Sequence, residues 1–347
     1  MVTVNQLLTT MRAIRQGGYG DAGVWSLAEE PVPTPGTGRV LVRVEAAGVD
    51  QGTWHLLTGK PYLLRLVFGL RAPKRVVPGI DLAGRVVAVG EGVSRIGVGD
   101  EVFGIGEGSY AEYATALESK LELRPDCWTA TQAAAVPVSG LTAWQALHTA
   151  ARVAAGQRVL VIGASGGVGS FAVQIAAAAG AKVTAVCSAA KADFVRGLGA
   201  ERVVDYRVHD VADLGVAYDV VLDIGGRSTL RRLRRLTVPG GVVVLIGGDD
   251  KNPVFGPFGR SLRALAWTPV AGRRFVMLVA KEQYGDLTEL AGLGAARQLT
   301  PAVDRVYPLA GAGAAITALA AGEVRGKVVL TVSGDGQDGV MTNTEQE

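Results

Sequence analysis

The sequence predicts an α/β chain in two parts, an antiparallel barrel-like β domain followed by a doubly wound parallel sheet. Three observations lead there. From Arg12 to about Ala133 the text is strand-like and broken at short intervals by Gly and Pro. From about Ala134 to Pro253 strand patterns alternate with helical ones. At the head of the second region, Val159-Leu-Val-Ile-Gly-Ala-Ser-Gly-Gly-Val-Gly169 runs an aliphatic strand into a glycine-rich turn and then into the apolar stretch Ser170 to Ala179. At 347 residues the chain is also long for one core, so two domains are expected.

Taken in order, Val40 to Val44 alternates as a half-buried strand does, Gly84 to Val89 is a second strand, and Asp100 to Phe103 starts a third. Pro31, Pro33, Pro35 and Gly36 punctuate the first of these. In the second region strands are expected at 158–162, 182–187, 202–204, 219–223 and 242–246, and helices at 168–179, 190–198 and 228–236. After about Trp267 the pattern is mixed. It closes on Gly326 to Val332, a strand able to return to the first domain. Gly334 to Glu347 is polar and reads as a disordered tail. The expected divisions are 11–133, 134–268, a return at 269–333, and the tail at 334–347.

Composition excludes several classes. A net charge of +3 is too small to argue for nucleic acid. No segment reaches the roughly 18 continuous apolar residues of a membrane span, so no stable insertion is expected. Met1 to Met11 lacks the basic and apolar regions of a secretory signal. Cys127 and Cys187 offer neither a disulfide framework nor a metal cluster, and a reducing cytoplasm is the expected compartment.

The glycine turn carries the first functional signal. Gly163, Gly166 and Gly169 leave no side chains where a dinucleotide backbone must approach, and the helix that follows begins with unpaired N–H groups aimed at a pyrophosphate. Ser165, Gly166, Gly167 and Val168 are the residues expected to line it. The next strand, Lys182 to Cys187, bears on which dinucleotide. An NAD site carries Asp or Glu near the strand end to hold the ribose 2′-hydroxyl. Here the strand ends at Ser188, followed by Lys191, with Tyr206 and Arg207 after the strand beyond. A hydroxyl, an ammonium and a phenol suit a 2′-phosphate, so NADP(H) is expected, although Asp193 and Asp205 lie close by. Gly247 and Gly248 end a sheet strand at the carboxyl edge, where doubly wound sheets bind ligands.

The order of β domain, nucleotide fold and return resembles the medium-chain dehydrogenase/reductase superfamily, from Met11 to Val332. Pro78-Gly-Ile-Asp-Leu-Ala-Gly-Arg-Val-Val-Ala-Val-Gly90 is similar to its first barrel signature, and Val98-Gly-Asp-Glu-Val-Phe-Gly104 to the loop and strand after it. Ala133 to Leu147 resembles the helix leading into the nucleotide domain, and Val204-Asp-Tyr206 and Val221-Leu-Asp223 match later positions. Asp50 to Leu66 and Arg325-Gly-Lys-Val-Val329 look like the zinc-less quinone oxidoreductase branch, more narrowly the group similar to the reticulon-4-interacting protein. The resemblance implies a GroES-like β-barrel catalytic domain and a Rossmann domain.

Zinc-dependent members need a Cys after the early strand, a Gly-His-Glu and a later Cys. The matching places read Asp50 and Gly79-Ile80-Asp81, and His55, His148 and His209 lie far apart without thiolate partners. No metal is expected. Without that Lewis acid alcohol oxidation is disfavoured, and the resemblance implies hydride transfer from NADPH to a quinone or conjugated enone. The resemblance places Asp50, Trp54 and His55 toward the nicotinamide. Relatives often carry Asn at the position of Asp50, and an ionised Asp only accepts hydrogen bonds. Asp50 therefore holds a ribose hydroxyl or orients His55, and His55 is the candidate proton donor, with Tyr62 and Tyr110 weaker candidates. Thr142 at the domain junction, and Arg325 and Lys327 near the C-terminus, match positions close to the cofactor.

The segment Pro253 to Lys281 interleaves Phe258, Leu262, Trp267 and Phe275 with Arg260, Arg263, Arg273 and Arg274. It fits a pocket cap best, with a membrane surface or a subunit interface as alternatives. Two other functions stay open: a low-turnover NADPH-binding regulator or partner protein, and an aldehyde or ketone reductase. Relatives dimerise by joining edge strands, so a homodimer is expected, with Val242 to Ile246 as the strand to test.

Overall fold

The computed structural model describes residues 9–247, 259–260, 263–266, 268, 272–332 and 341–342. The chain opens with an antiparallel ribbon, β1 (Thr10–Gln16) on β2 (Trp25–Pro31). The long β3 (Arg39–Val49) follows, then the short helices α1 (Gln51–Thr58) and α2 (Arg65–Phe68). β4 (Asp81–Val89), β5 (Glu101–Ile105), β6 (Tyr113–Leu117) and β7 (Leu121–Leu123) complete the first pass of this sheet. β3 is its organising strand, paired with β4 on one side and β6 on the other. Val40, Leu41, Val42, Val44, Ala46, Ala47 and Val49 are all buried, which holds this eleven-residue strand at the centre although its register on β4 shifts twice.

Helices α3 (Ala130–Ala134) and α4 (Pro137–Trp144) carry the chain across. Thr129 and Gln132 form a reciprocal capping box at the start of α3, and Pro137 opens α4 where its missing N–H has no helical partner to lose. The parallel sheet then builds in sequence: β8 (Arg158–Ile162), α5 (Gly167–Ala178), β9 (Lys182–Cys187), α6 (Ala192–Gly197), β10 (Arg202–Asp205), β11 (Tyr218–Asp223), α7 (Leu230–Leu236), β12 (Thr237–Leu245) and β13 (Arg274–Met277). The strand order is β10-β9-β8-β11-β12-β13, all parallel. Direction reverses between β8 and β11, so the crevice for a ligand lies beyond their carboxyl ends.

α8 (Tyr284–Ala295) packs Leu290 against Gly140 of α4, and the chain then returns to the first sheet. β14 (Val303–Pro308), α9 (Ala312–Ala320) and β15 (Lys327–Thr331) make the return, and β16 (Met341–Thr342) adds a short strand on β14. β15 lies antiparallel to β3 with Val328 opposite Val49, which brings Lys327 to the level of Asp50.

Two expectations change here. The return does not begin at residue 269: β13 belongs to the parallel sheet, and the barrel is rejoined only at β14. The physical reason is that β12 would otherwise leave an aliphatic edge open, and Phe275 and Val276 cover it. For the same reason Val242 to Ile246 is not an edge. β12 is flanked on both sides, and β13 is the outer strand of the sheet. The tail from 334 lies outside the described residues apart from Met341 and Thr342.

One apolar core runs unbroken from Phe103 and Trp128 of the barrel through Ala133 to Val136 and on to Val159, Val161 and Phe171 of the parallel sheet. The small alanines of α3 let the two domains close tightly, so the site between them rests on packed walls.

Candidate functional site

The glycine turn between β8 and α5 forms the floor. Gly163 sits at φ +90, a left-handed conformation that a side chain would strain. A Cβ on Gly169 would lie 2.2 Å from the Gly163 carbonyl oxygen, so α5 can meet β8 this closely only with glycine there. Gly166 caps α5 with extended backbone, and the first helical bond runs from Ser170 N–H to its carbonyl at 2.9 Å. The N–H groups of Gly167, Val168 and Gly169 precede that bond and have no partner within the helix. Around Gly166 there is room: the atom nearest an added Cβ is 3.7 Å away. The Ser165 carbonyl accepts from Gly326 N–H at 2.9 Å, tying the turn to the loop before β15.

A basic corner stands at the ends of β9 and β10. Ser188 is buried directly after β9, and Tyr206 is 56% exposed after β10. Lys191 donates to the carbonyls of Gly322 at 2.9 Å and Val324 at 2.7 Å, leaving one of its three N–H bonds for a ligand. Burial draws its ammonium below the ordinary lysine range; Asp304 opposes this, while Arg325 and Arg207 add to it. Arg325 Nε pairs with Asp304 at 3.1 Å. The nearby acids are engaged elsewhere. Asp193 pairs with Arg196 at 2.5 Å on the outer surface, and Asp205 accepts from the Arg207 N–H at 3.0 Å.

The junction of the domains holds a buried polar cluster. Asp50 leaves β3 and caps α1, its Oδ1 accepting from Thr53 N–H at 2.9 Å, while its Oδ2 is buried with no hydrogen-bond partner. Asp81 accepts from Val138 N–H at 3.0 Å and from Lys327 Nζ at 3.2 Å. Lys327 also donates to Ser139 Oγ at 3.2 Å. Asp81 is 0% and Lys327 2% exposed. Burial pushes the Asp81 carboxyl up to about 7, against the pull of Lys327 and with a further push from Asp50. Tyr110, likewise buried, donates to the Gly48 carbonyl at 3.2 Å, and burial holds its phenol well above the usual range, with Asp50 adding to the rise.

The cluster touches the floor: a Cβ on Gly167 would lie 3.0 Å from Ser139 Oγ and 3.2 Å from Lys327 Cδ. Lys327 thus lays its stem beneath the glycine turn and turns its ammonium inward. Thr142 is half-buried, its hydroxyl donating to Val138 O at 2.7 Å. His55 is half-buried on α1, with Nδ1 2.8 Å from the Lys60 carbonyl. That carbonyl can only accept, so Nδ1 carries the proton and Nε2 of the neutral ring accepts. Gly247 passes so close to Ile224 that a Cβ would lie 1.8 Å from its carbonyl oxygen. Gly248 lies outside the described residues, as does much of Pro253 to Lys281. Three described arginines of that segment bind to other elements: Arg260 to Asp223 and the Gly226 carbonyl, Arg273 to Thr237 O at 3.0 Å, and Arg274 to the Ala150 carbonyl. Arg263 is exposed and bonds the Gly259 carbonyl of its own turn at 3.3 Å.

Sequence reasoning missed two pairs. Asp81 was visible only as the place where a zinc ligand is replaced, and its bond to Lys327 spans 246 positions. Arg260 on Asp223 was signalled only by an acid ending the apolar strand Val220 to Asp223.

The donor set does not suit a zinc ion. Asp50 spends one oxygen on a helix cap, and Asp81 already faces a lysine ammonium. Among the described residues no three His, Cys, Asp or Glu side chains gather.

Two family models match parts of the chain, an alcohol dehydrogenase GroES-like domain over residues 36–126 and a zinc-binding dehydrogenase over 198–330. A chloroplastic quinone-oxidoreductase homolog of Spinacia oleracea is 32% identical over 338 residues, 92% of this chain and 98% of its own. The chain belongs to the medium-chain dehydrogenase/reductase superfamily. Within that superfamily it is also 31% identical, over 73% of its length and 70% of the other's, to the mitochondrial NAD(P)H oxidoreductase RTN4IP1 of Mus musculus. The solved quinone oxidoreductase from Coxiella burnetii superposes with a TM-score of 0.84 at 27% identity, covering 93% of this chain and all of that one. The barrel is the GroES-like domain of the superfamily, the parallel sheet is its Rossmann domain, and the chain is an oxidoreductase of that superfamily.

Proposed function

We propose that the protein uses NADPH to reduce a quinone or a conjugated enone and does so without zinc. The observation that carries this reading is the junction itself. Where a metal-dependent member would hold a Lewis acid, this chain packs Lys327 on Asp81 and leaves the Asp50 Oδ2 unpartnered. A bound NADPH supplies hydride from its nicotinamide, and the protein supplies position. The free N–H groups at the start of α5 receive the pyrophosphate, with Ser165 and Gly166 beside it. Ser188, Lys191, Tyr206 and Arg207 surround the 2′-phosphate, with Arg325 close to Lys191. Asp50 Oδ2 accepts a ribose hydroxyl, which satisfies its lone pairs. Thr142 and Gly247 line the nicotinamide end.

The reduced oxygen takes its proton from water reaching the cleft. His55 is the side-chain alternative, and only its charged ring can donate through Nε2. The product is a hydroquinone, or an enol that tautomerises to the saturated carbonyl compound. A reducing cytoplasm suits the unpaired Cys127 and Cys187, and a homodimer would join along the outer strand β13. Among the described residues, no helix is long and apolar enough to cross a membrane.

The test is oxidation of NADPH, then NADH, by the purified protein with a benzoquinone, a naphthoquinone, an enone and a saturated aldehyde. Turnover of the first three with NADPH preferred supports the proposal. Turnover of the aldehyde alone supports a carbonyl reductase, and tight NADPH binding with no turnover supports a regulator.

A further inference from the structure

The stretch between α1 and β4 is built the wrong way round for a soluble surface. Leu63, Leu66, Val67, Phe68 and Leu70 recur near helical spacing and face water, with Leu66 67%, Val67 63% and Leu70 67% exposed. The polar side chain in their midst faces inward instead. Arg65 donates to the Gly59 carbonyl at 2.9 Å and lies over the rings of Tyr19 and Tyr62 at 4.5 and 4.7 Å. Tyr19 Oη donates to the Gly69 carbonyl at 2.7 Å, pinning the end of α2 to the barrel. The apolar side chains are therefore held outward by specific contacts.

Charge surrounds them. From Lys60 to Ile80 the chain carries Lys60, Arg65, Arg71, Lys74 and Arg75 and no acid. The segment folds back after α2, with Lys74 N–H donating to the Phe68 carbonyl at 2.8 Å, so the exposed Arg71 and Lys74 stand beside the apolar turn. Arg65 is spent on its stacking, and Arg75 on Glu107 at 2.8 Å. Neither Arg71 nor Lys74 has a carboxylate partner among the described residues.

We infer that this segment is a docking surface for an anionic phospholipid bilayer, with the leucines, Val67 and Phe68 entering the headgroup boundary and Arg71 and Lys74 meeting lipid phosphates. A second copy of the chain is a poor occupant, because a two-fold contact would set these cations against themselves. The patch follows, after four more residues, the eight-residue helix about 12 Å long that Asp50 caps. Docking would thus bring the cleft to the bilayer surface, where a lipophilic acceptor resides; that last link rests on the quinone reading.

The experiment is co-sedimentation of the full chain, without substrate, on vesicles of phosphatidylcholine alone or with about 30% phosphatidylglycerol, at low salt and at about 0.5 M NaCl. Expected are at least tenfold tighter binding to the anionic vesicles and its loss at high salt. The double variant Arg71→Glu with Lys74→Glu, and separately Leu66→Ser with Val67→Ser, should each weaken binding about tenfold while NADPH affinity stays unchanged. No binding to anionic vesicles, or binding indifferent to both double variants, overturns the inference. So does self-association of the wild type that Leu66→Ser with Val67→Ser abolishes, since the patch is then a protein contact. Because binding is read without turnover, its outcome is separate from that of the quinone assay.

Discussion

Lys191 shows how much one side chain can be asked to do. Two of its N–H bonds hold the loop before β15, and the remaining one faces the corner shared with Arg207 and Arg325. A 2′-phosphate carries about two charges that this corner would meet, whereas NADH has nothing to offer it. Lys191→Ala should lower the preference of kcat/KM for NADPH over NADH by about tenfold, roughly 1.4 kcal/mol, chiefly by raising the KM for NADPH. Paired kinetics with the two cofactors read this directly. A loss that is equal for both cofactors would mean that the residue only braces the loop. The neighbouring Asp193 and Asp205, which weighed against NADPH in the sequence, are bound to Arg196 and to the backbone. A carboxylate two residues away in sequence can point anywhere; its partner in space decides what it does.

At the scale of elements, the glycine turn divides into positions that build the fold and one left open for the proposed ligand. Gly169 has the Gly163 carbonyl 2.2 Å from where a Cβ would sit, while Gly166 has open space. Gly169→Ala should force α5 off β8 and cost about 2 to 4 kcal/mol, as overpacking against backbone does. Gly166→Ala should leave the melting temperature within about 2 °C and still raise the Kd for NADPH about tenfold, because its methyl enters the cradle. Thermal unfolding and a fluorescence titration of the two variants separate these roles. The strands and helices themselves were legible. Strands at 158–162 and 182–187 were read to the residue, because a buried parallel strand is a plain aliphatic run between turn signals. β13 was not, because four residues inside a mixed, arginine-rich segment carry no period of their own.

At the scale of the molecule, the Asp81 and Lys327 pair fastens three parts together: β4, the start of α4 through Val138 and Ser139, and the returning β15. The folded state holds the Asp81 proton up to about 7, whereas its ordinary value is 3.8. Through this group the native state binds more protons than the unfolded chain between those limits, so stability falls as pH rises from about 4 to about 7. Asp81→Asn should flatten that slope in urea unfolding measured across the window. Above that window it should also lower stability by about 3 kcal/mol, since Lys327 loses its ionised partner and is left buried beside a neutral amide. An unchanged slope would mean that Asp81 is already ionised throughout the range.

The sequence by itself determined the two-domain α/β plan, the glycine turn and the basic residues near it. Those features are local: strand and helix periods, turn glycines and short motifs are written within a dozen residues. Only the tertiary structure decided what Asp50, Asp81, Lys327 and Asp223 do. The Asp50 cap on Thr53 is local, but the other partners lie on other elements, Lys327 reaching across 246 positions to Asp81 and Arg260 across 37 to Asp223. It likewise showed that Leu66, Val67 and Leu70 face water, where apolar residues ordinarily read as core. Burial and pairing depend on which strands become neighbours. That is fixed when the C-terminal strand folds back onto β3: the sequence marks a strand able to return, but its register on β3, which sets Lys327 at the level of Asp50, is a tertiary outcome.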